Sequence, residues 1–133
     1  MKYLFAILLL ITISSVYGQK DEELTRAGIE QVQKGNFSKA ILLFDKALKI
    51  NPENTRALYY KGYSRENQNR FKEAVELYSK LIVLQPKEMY YLRRGYCYFR
   101  ARQYEEALKD YNRMLKKYPY DTDLLMKRIR IYI

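Results

Sequence analysis

Side chains that could bind a partner recur on one face of the predicted helices. Residues three, four and three positions apart share one side of a helix. On this spacing the candidate groove residues are Arg56, Tyr59, Tyr63 and Glu66 in one helix, and Met89, Leu92, Tyr96 and Phe99, with Arg100 adjacent, in the next. Tyrosine and arginine dominate binding hot spots, so this face suits a peptide with aromatic or aliphatic side chains and an acidic group. Alternatively, Tyr63, Tyr96 and Phe99 pack between neighbouring helices, and the two interpretations can coexist.

Catalytic chemistry is poorly supported by this composition. The chain contains no histidine, which is the usual general base and the commonest transition-metal ligand. The single cysteine, Cys97, lacks a histidine to activate it, and its place between two tyrosines predicts a small core residue. The acidic runs 21–23 and 105–106 fall at predicted helix starts, where the helix dipole and solvent explain them. We therefore predict no enzymatic activity, no metal and no cofactor.

Four series of residues recur at intervals of 34 and then 33 positions. They are Gly28, Gly62 and Gly95; Ala40, Ala74 and Ala107; Phe44, Tyr78 and Tyr111; and Pro52, Pro86 and Pro119. A period of this size indicates stacked helix pairs, each too small to bury its apolar face alone. Glycine costs roughly 1 kcal/mol relative to alanine inside a helix, so its recurrence predicts a close helix crossing at Gly62, with Ala74 as the small residue opposite.

The middle repeat shows the predicted boundaries most clearly. Residues 57–68 read as helix A and residues 70–84 as helix B, with Asn69 capping helix B through its side chain. Pro86 would then end helix B. In the same phase the repeats span about 21–54, 55–87 and 88–120. A seventh helix over 121–133 is either a cap on the last helix B or helix A of an incomplete fourth repeat.

These residues resemble the tetratricopeptide repeat (TPR) family. The family pattern has a large residue, glycine, an aromatic residue, alanine, an aromatic residue and proline at fixed offsets. The matching residues of the middle repeat are Leu58, Gly62, Phe71, Ala74, Tyr78 and Pro86. Late in helix B, where the family has a small residue, Leu81 and Met114 are larger. The resemblance implies an all-α solenoid, a right-handed superhelix of antiparallel helix pairs. It also implies that the A helices line a concave groove where partner peptides commonly bind.

Some members of this family hold the C-terminal carboxylate of heat-shock chaperones with a clamp of lysine, asparagine and arginine. The matching positions here are Thr25, Ile29, Tyr60, Met89 and Arg93. Only Arg93 fits that clamp. The resemblance therefore implies a peptide-binding adaptor and disfavours a chaperone co-factor.

The first eighteen residues have the layout of a secretory signal peptide. Lys2 precedes an apolar stretch from Leu4 to Ile13, and small and polar residues follow up to Gly18. We therefore expect residues 1–18 to be a signal peptide and 19–133 a TPR domain exported to the periplasm or the secretory pathway. The alternative is an uncleaved membrane anchor, although a spanning helix needs about 20 apolar residues, more than this run supplies.

The chain is strongly basic, with 25 lysines and arginines against 15 acidic residues and a formal charge of +10. Such a surplus favours acidic peptides, anionic lipid headgroups or nucleic acid as partners. The residues that could contact an anionic surface are Lys116, Lys117, Lys127, Arg128 and Arg130. Nucleic acid is disfavoured by the export signal. We expect a non-enzymatic protein-binding adaptor, with a binder of an anionic polymer or surface as the alternative.

Overall fold

The computed structural model describes residues 1–133 except for the side chain of Lys2, so the positive charge at the start of the predicted leader lies outside the described residues. Seven α-helices and no strand are assigned within this range. They are α1 (Lys2–Gln33), α2 (Phe37–Ile50), α3 (Thr55–Asn67), α4 (Phe71–Leu84), α5 (Glu88–Arg100), α6 (Tyr104–Lys117) and α7 (Thr122–Tyr132). The prediction of an all-α protein is confirmed.

The chain divides into two compact units, Met1–Tyr60 and Lys61–Ile133, with the boundary inside α3. In the first unit α1 packs on α2, around a core that includes Ala40, Phe44 and Ala47. In the second unit α4 contacts α5, α5 contacts α6 and α6 contacts α7. Its core includes Tyr111, Met114 and Leu124, and Leu124 is the buried residue of α7. Each unit therefore buries the apolar stripes of consecutive helices.

The N-terminal half of α1 is exposed along its whole length. Residues 3–20 are all exposed, and burial begins at Asp21. Within α1, Tyr3–Gln33 contains a segment long and apolar enough to cross a membrane by length and composition, and none of that segment is buried. A signal sequence near an N-terminus shares these properties. The helix itself runs through Gly18 without a break.

Two residues beyond the end of each A helix, at the same phase of the period, lies a residue with a positive φ. These are Gly35 (φ 76°), Asn69 (φ 59°) and Arg102 (φ 61°). Glycine and asparagine adopt the left-handed region most readily. The prediction that Asn69 caps helix B is wrong, because Asn69 lies two residues beyond the end of α3 with a positive φ, and the residue before α4 is Arg70, which makes no side-chain cap. Helix α4 ends at Leu84, two residues before Pro86, as predicted.

Helix α3 begins two residues earlier than predicted because Asn54 caps it. The Asn54 side-chain oxygen accepts a hydrogen bond from the Ala57 backbone N–H at 2.9 Å. Its amide group donates to Asp21 at 2.9 Å and to Thr25 at 3.1 Å. Asn54 is buried, so the start of α3 is tied to the interior of the first unit rather than to solvent.

The periodic glycines are buried at close crossings, as predicted, but the residues opposite them are aromatic rings and not alanines. A methyl group on Gly28 would overlap the Phe44 ring. One on Gly95 would lie 2.8 Å from Tyr111 Cε1, and one on Gly62 would lie 3.1 Å from Tyr78 Cε1. The prediction that Ala74 faces Gly62 is therefore wrong. Glycine is favoured because a flat ring on each helix B lies against the backbone of helix A, with the tightest contact at Gly28.

Candidate functional site

A cavity of about 320 Å³ lies in the second unit, between side chains of α3, α5 and α7. Its lining residues are Glu66, Leu92, Arg93, Tyr96, Asp121, Asp123, Leu124 and Lys127. Three of them, Leu92, Tyr96 and Leu124, supply apolar surface. The other five lining residues are charged, and we call them the border; the cavity therefore combines apolar and charged side chains. We call it the α5–α7 cavity.

Glu66 forms part of the cavity wall and is 9% exposed. The Tyr78 hydroxyl donates a hydrogen bond to Glu66 Oε2 at 3.0 Å, and Arg93 Nη1 donates to Oε1 at 2.9 Å. The thiol of Cys97 lies 3.9 Å from the same Oε2. Buried carboxylates are stable only when such partners satisfy them. Glu66 is thus a wall residue held by protein partners rather than a free acidic group in a groove.

Burial and the nearby Glu66 charge together change the acid–base behaviour of its neighbours. Burial is the main cause of the raised pKa of Tyr78, and the Glu66 carboxylate raises that pKa further. The pKa of the Cys97 thiol is raised for the same two reasons in the same order. Both groups therefore remain protonated well above neutral pH. Cys97 is fully buried, which confirms the prediction of a small core residue.

Arg93 joins the wall of the cavity to an aromatic side chain of α3. Its guanidinium lies 5.1 Å from the centre of the Tyr63 ring while it pairs with Glu66. This ring contact and ion pair hold Arg93 in place. Arg93 is the one residue that matches the carboxylate clamp, and in the structure its charge is paired with Glu66.

Tyr96 is also held by neighbouring side chains. Its ring meets Phe71 edge to face, with the ring centres 6.3 Å apart. Its hydroxyl accepts a hydrogen bond from Arg100 at 2.5 Å, and the Arg100 guanidinium lies 4.5 Å from the Phe71 ring centre. Arg100 therefore positions Tyr96 without lining the cavity itself.

The cavity gathers three of the nine predicted groove residues, namely Glu66, Leu92 and Tyr96. The other six lie elsewhere. Phe99 packs on the α6 and α7 core and against Tyr104, so for Phe99 the packing interpretation applies. Met89 is 50% exposed and Tyr63 lies under Arg93. Arg56 and Tyr59 belong to the first unit, where Arg56 pairs with Glu22 at 2.8 Å.

Helix α7 and Asp121 just before it supply half of the cavity lining. This was not predicted from the sequence, where α7 was expected to be a cap on the last helix B or helix A of an incomplete fourth repeat. Asp121 accepts a hydrogen bond from the Leu124 backbone N–H at 3.0 Å, which fixes the start of α7. Asp123 pairs with Lys127 one turn later. Asp121 ahead of an apolar run predicts the start of a helix. The sequence does not predict how α7 is rotated about its axis.

The border of the cavity is slightly acidic although the chain is basic. Three carboxylates, of Glu66, Asp121 and Asp123, face two cations, of Arg93 and Lys127. Among the described residues no cluster of His, Cys, Asp and Glu is arranged to hold a metal ion. The arrangement can therefore bind by shape, apolar contact and charge.

Comparison with known proteins places these repeats in a family. Residues 25–88 and residues 89–121 match two models described as tetratricopeptide repeat. The chain belongs to the tetratricopeptide repeat family. This confirms the predicted family and the TPR-like all-α fold.

The TPR relatives are longer proteins. The chain is 26% identical over 89 residues to a TPR repeat-containing protein of Methanocaldococcus jannaschii, covering 67% of this chain and 16% of that protein. It is 33% identical over 92 residues to DnaJ homolog subfamily C member 7 of Homo sapiens, covering 65% of this chain and 19% of that protein. This chain thus spans less than a fifth of either relative.

Solved TPR structures share the fold. The first TPR of Spaghetti (RPAP3) bound to the HSP90 peptide SRMEEVD superposes with a TM-score of 0.76 at 24% identity. That match covers 86% of this chain and 91% of the other. At this level of identity the likeness shows the architecture of the repeats and nothing of the ligand.

Proposed function

We propose that this TPR protein is a non-enzymatic adaptor that binds a peptide segment of another protein in the α5–α7 cavity. The observation that carries the proposal is that one cavity is lined both by Leu92, Tyr96 and Leu124 and by five charged side chains. Such a combination is typical of peptide sites, where buried anchors give affinity and polar groups fix orientation. The TPR of Spaghetti, which is similar in fold, holds a peptide of HSP90, so a TPR architecture of this kind can accommodate a peptide.

The charges at the cavity favour a basic partner segment over an acidic one. Arg93 is engaged by Glu66, and Lys127 by Asp123. Asp121 pairs with a backbone N–H and with no described cation. The border therefore offers a surplus of negative charge, and complementary charge raises both the rate and the specificity of association. We expect the partner to present lysine or arginine beside an aliphatic or aromatic side chain.

A panel of short peptides tests this proposal. The full chain is screened against peptides in which one apolar residue is flanked by basic, neutral or acidic residues, and affinities are measured by fluorescence anisotropy. We expect basic peptides to bind best. Combining Leu92→Ala with Tyr96→Ala should weaken binding about tenfold or more, since a truncated anchor at the centre of an interface typically costs more than about 1 kcal/mol.

The matched control is Val83→Ala, because Val83 is 84% exposed on α4 and lies outside the cavity. This control should leave the affinity unchanged. Circular dichroism establishes that all variants remain helical. If the cavity and control variants bind equally well, the cavity is not the peptide site. A preference for acidic peptides would contradict the charge argument alone.

We further propose that the exposed apolar half of α1 directs the chain to export. Its composition and exposure support this. N-terminal sequencing of the protein isolated from its native host distinguishes the two forms. A mature chain that begins at Gln19 indicates a cleaved signal peptide, and an intact N-terminus on protein recovered in the membrane fraction indicates an uncleaved anchor. An intact chain found only in the cytosolic fraction would contradict export.

A further inference from the structure

A second cavity of the Lys61–Ile133 unit, of about 540 Å³, lies away from the peptide site. Its charged and aromatic lining comes from the start of α5 and the end of α6. These residues are Glu88, Tyr91, Arg113, Lys116 and Lys117. None of them lines the α5–α7 cavity. We call this second cavity the α5–α6 cavity.

Arg113 is held over an aromatic ring at this cavity. Its guanidinium lies 4.4 Å from the centre of the Tyr91 ring. A guanidinium stacked on an aromatic face keeps its N–H donors directed around its edge, where they can reach an anion. Arg113 is therefore already positioned before any ligand arrives, which reduces the entropy lost on binding.

The Tyr91 ring is itself supported by a buried ion pair. Arg94 lies 5.6 Å from the ring centre and makes two bonds to Asp110, at 2.8 Å and 2.7 Å. A third bond, at 3.1 Å, joins Arg94 to Ser79. Because Asp110 neutralises Arg94, the charge available at this cavity is that of Arg113 rather than that of Arg94.

The remaining charges leave the α5–α6 cavity positive. Glu88 is its one carboxylate, and Lys117 pairs with it. The hydrogen bond from Lys117 is the main cause of the lowered pKa of Glu88. Within the described part of the chain, Arg113 and Lys116 have no carboxylate partner. Three cations against one carboxylate leave a surplus of two positive charges at one concave site.

We propose that the α5–α6 cavity binds a phosphate group, carried either by free phosphate or by the headgroup of an anionic lipid. Phosphate matches the site because it carries up to two negative charges and accepts the parallel N–H bonds of a guanidinium. Arg113 is the principal donor, and Lys116 supplies the second charge. The two sources share this chemistry and are separated by experiment.

Lysine reactivity measured by mass spectrometry tests the site directly. The full chain, in nonionic detergent or in vesicles, is acylated with a lysine-reactive ester. One arm adds inorganic phosphate against chloride at equal ionic strength. The other compares phosphatidylcholine vesicles with and without phosphatidylglycerol. The acylation rate of Lys116 should fall to about a tenth when the ligand is present at about ten times its Kd, because only the unbound fraction reacts.

Internal and variant controls make the result specific. Lys80 is exposed on α4 outside the cavity, so its acylation rate should not change. Arg113→Gln should abolish the protection of Lys116. Lys109→Gln removes the same charge from α6 at a side chain that is 76% exposed and lies outside the cavity, and it should preserve the protection.

The outcomes separate the sources and can overturn the proposal. Protection by inorganic phosphate establishes free phosphate as a sufficient ligand, and protection only by phosphatidylglycerol vesicles establishes the lipid headgroup. Equal protection of Lys116 and Lys80 in both arms would overturn the site, and so would protection that survives Arg113→Gln. Leu92→Ala should leave the protection unchanged, so this result is independent of the peptide site.

Discussion

The aromatic ring that faces a helix glycine is held differently in the first and second repeats. In the first repeat Phe44 lies against Gly28, and Val32 packs on the same apolar cluster. In the second repeat Tyr78 lies against Gly62, and its hydroxyl bonds Glu66, which stands at the phase of Val32. In both repeats the aromatic ring of helix B fills the space beside the glycine of helix A. The second repeat adds a buried hydroxyl, a carboxylate and a paired arginine.

This difference connects the fold to the proposed function. The Phe44 site is apolar and serves packing alone, whereas the Tyr78 site extends through Glu66 and Arg93 to the wall of the α5–α7 cavity. A polar network of this kind is stable only when each member has its partners. In the second repeat the hydrogen-bonded Tyr78, Glu66 and Arg93 therefore hold the cavity wall in place. In the first repeat the apolar side chains of Phe44 and Val32 stand at the phases of Tyr78 and Glu66.

The largest loss of folding stability should come from adding a methyl group at Gly28, where the aromatic ring lies closest to the glycine. Gly28→Ala would place that methyl in overlap with the Phe44 ring, and because Phe44 is fully buried, the ring or the helix must shift to accommodate it. Overpacking of a core costs about 1–3 kcal/mol, and for this contact we expect about 2 kcal/mol or more of lost stability. Urea unfolding measures the change.

Gly62→Ala is the matched substitution in the second repeat. Its methyl group would lie 3.1 Å from the Tyr78 ring, which requires only a small shift. The helix propensity of alanine returns up to about 1 kcal/mol, so the net change should stay within about 1 kcal/mol of zero. Equal losses for Gly28→Ala and Gly62→Ala would show that the two crossings do not differ as described.

A smaller loss of folding stability should follow when Tyr78 is replaced by phenylalanine, the residue type at the same phase of the first repeat. Tyr78→Phe removes the hydroxyl donor from Glu66 Oε2 but leaves the weak Cys97 thiol donor beside it, so the loss should be about 1 kcal/mol, at the lower end of the cost of an unsatisfied buried group. Adding Glu66→Val recreates the apolar pair of Phe44 and Val32, and should restore part of the loss. The stabilities of the four variants in a double-mutant cycle give the coupling energy.

Additive effects in that cycle would mean that the hydroxyl and the carboxylate act independently. The cycle also tests the cavity, because Glu66→Val removes the carboxylate that pairs with Arg93 in the cavity wall. Peptide affinity should fall in the double variant even where stability recovers.

The smallest predicted effect is a loss of folding stability at alkaline pH, which arises from the buried thiol of Cys97. Burial raises the pKa of Cys97 and of Tyr78 in the folded state. Such groups stabilise the fold below their unfolded-state pKa, and this contribution is lost as pH rises toward the folded-state value. The decline should begin near the unfolded thiol pKa of about 8.5, with a slope of at most about 1.4 kcal/mol per pH unit.

Cys97→Ala serves as the control for this titration. Without the thiol, the decline should begin only near the unfolded tyrosine pKa of about 10. Unfolding is followed by circular dichroism between pH 7 and pH 11, a range set by these two reference values at about 8.5 and about 10. An unchanged onset near pH 8.5 would show that another group is responsible.

The repeat period and the helices were predictable from sequence because their signals are local. Glycine at each crossing, proline after each helix B and apolar spacing within each helix identify the elements without knowledge of their neighbours. The end of α5 was less readable, since Arg102 adopts a positive φ with no residue-type signal. The same conformation at Gly35 fits the known preference of glycine.

The site was only partly predictable because its residues depend on distant partners. Spacing placed Glu66 on a helix face, but its burial depends on Tyr78 from α4 and Arg93 from α5. Leu92 and Tyr96 were found because they share one face of a single helix. Asp121 was not predicted to line a site, and Lys127 was predicted only as a contact to an anionic surface, because the rotation of α7 is set by how Leu124 packs on α6.

The central claim is that the α5–α7 cavity receives the partner segment. Photo-crosslinking tests it most directly, with a photoreactive amino acid placed at Leu92 inside the cavity or at Val83 on α4. The best-binding basic peptide should crosslink from position 92 and not from position 83, and an excess of unlabelled peptide should abolish the product. Crosslinking from position 83 with none from position 92 would contradict the claim.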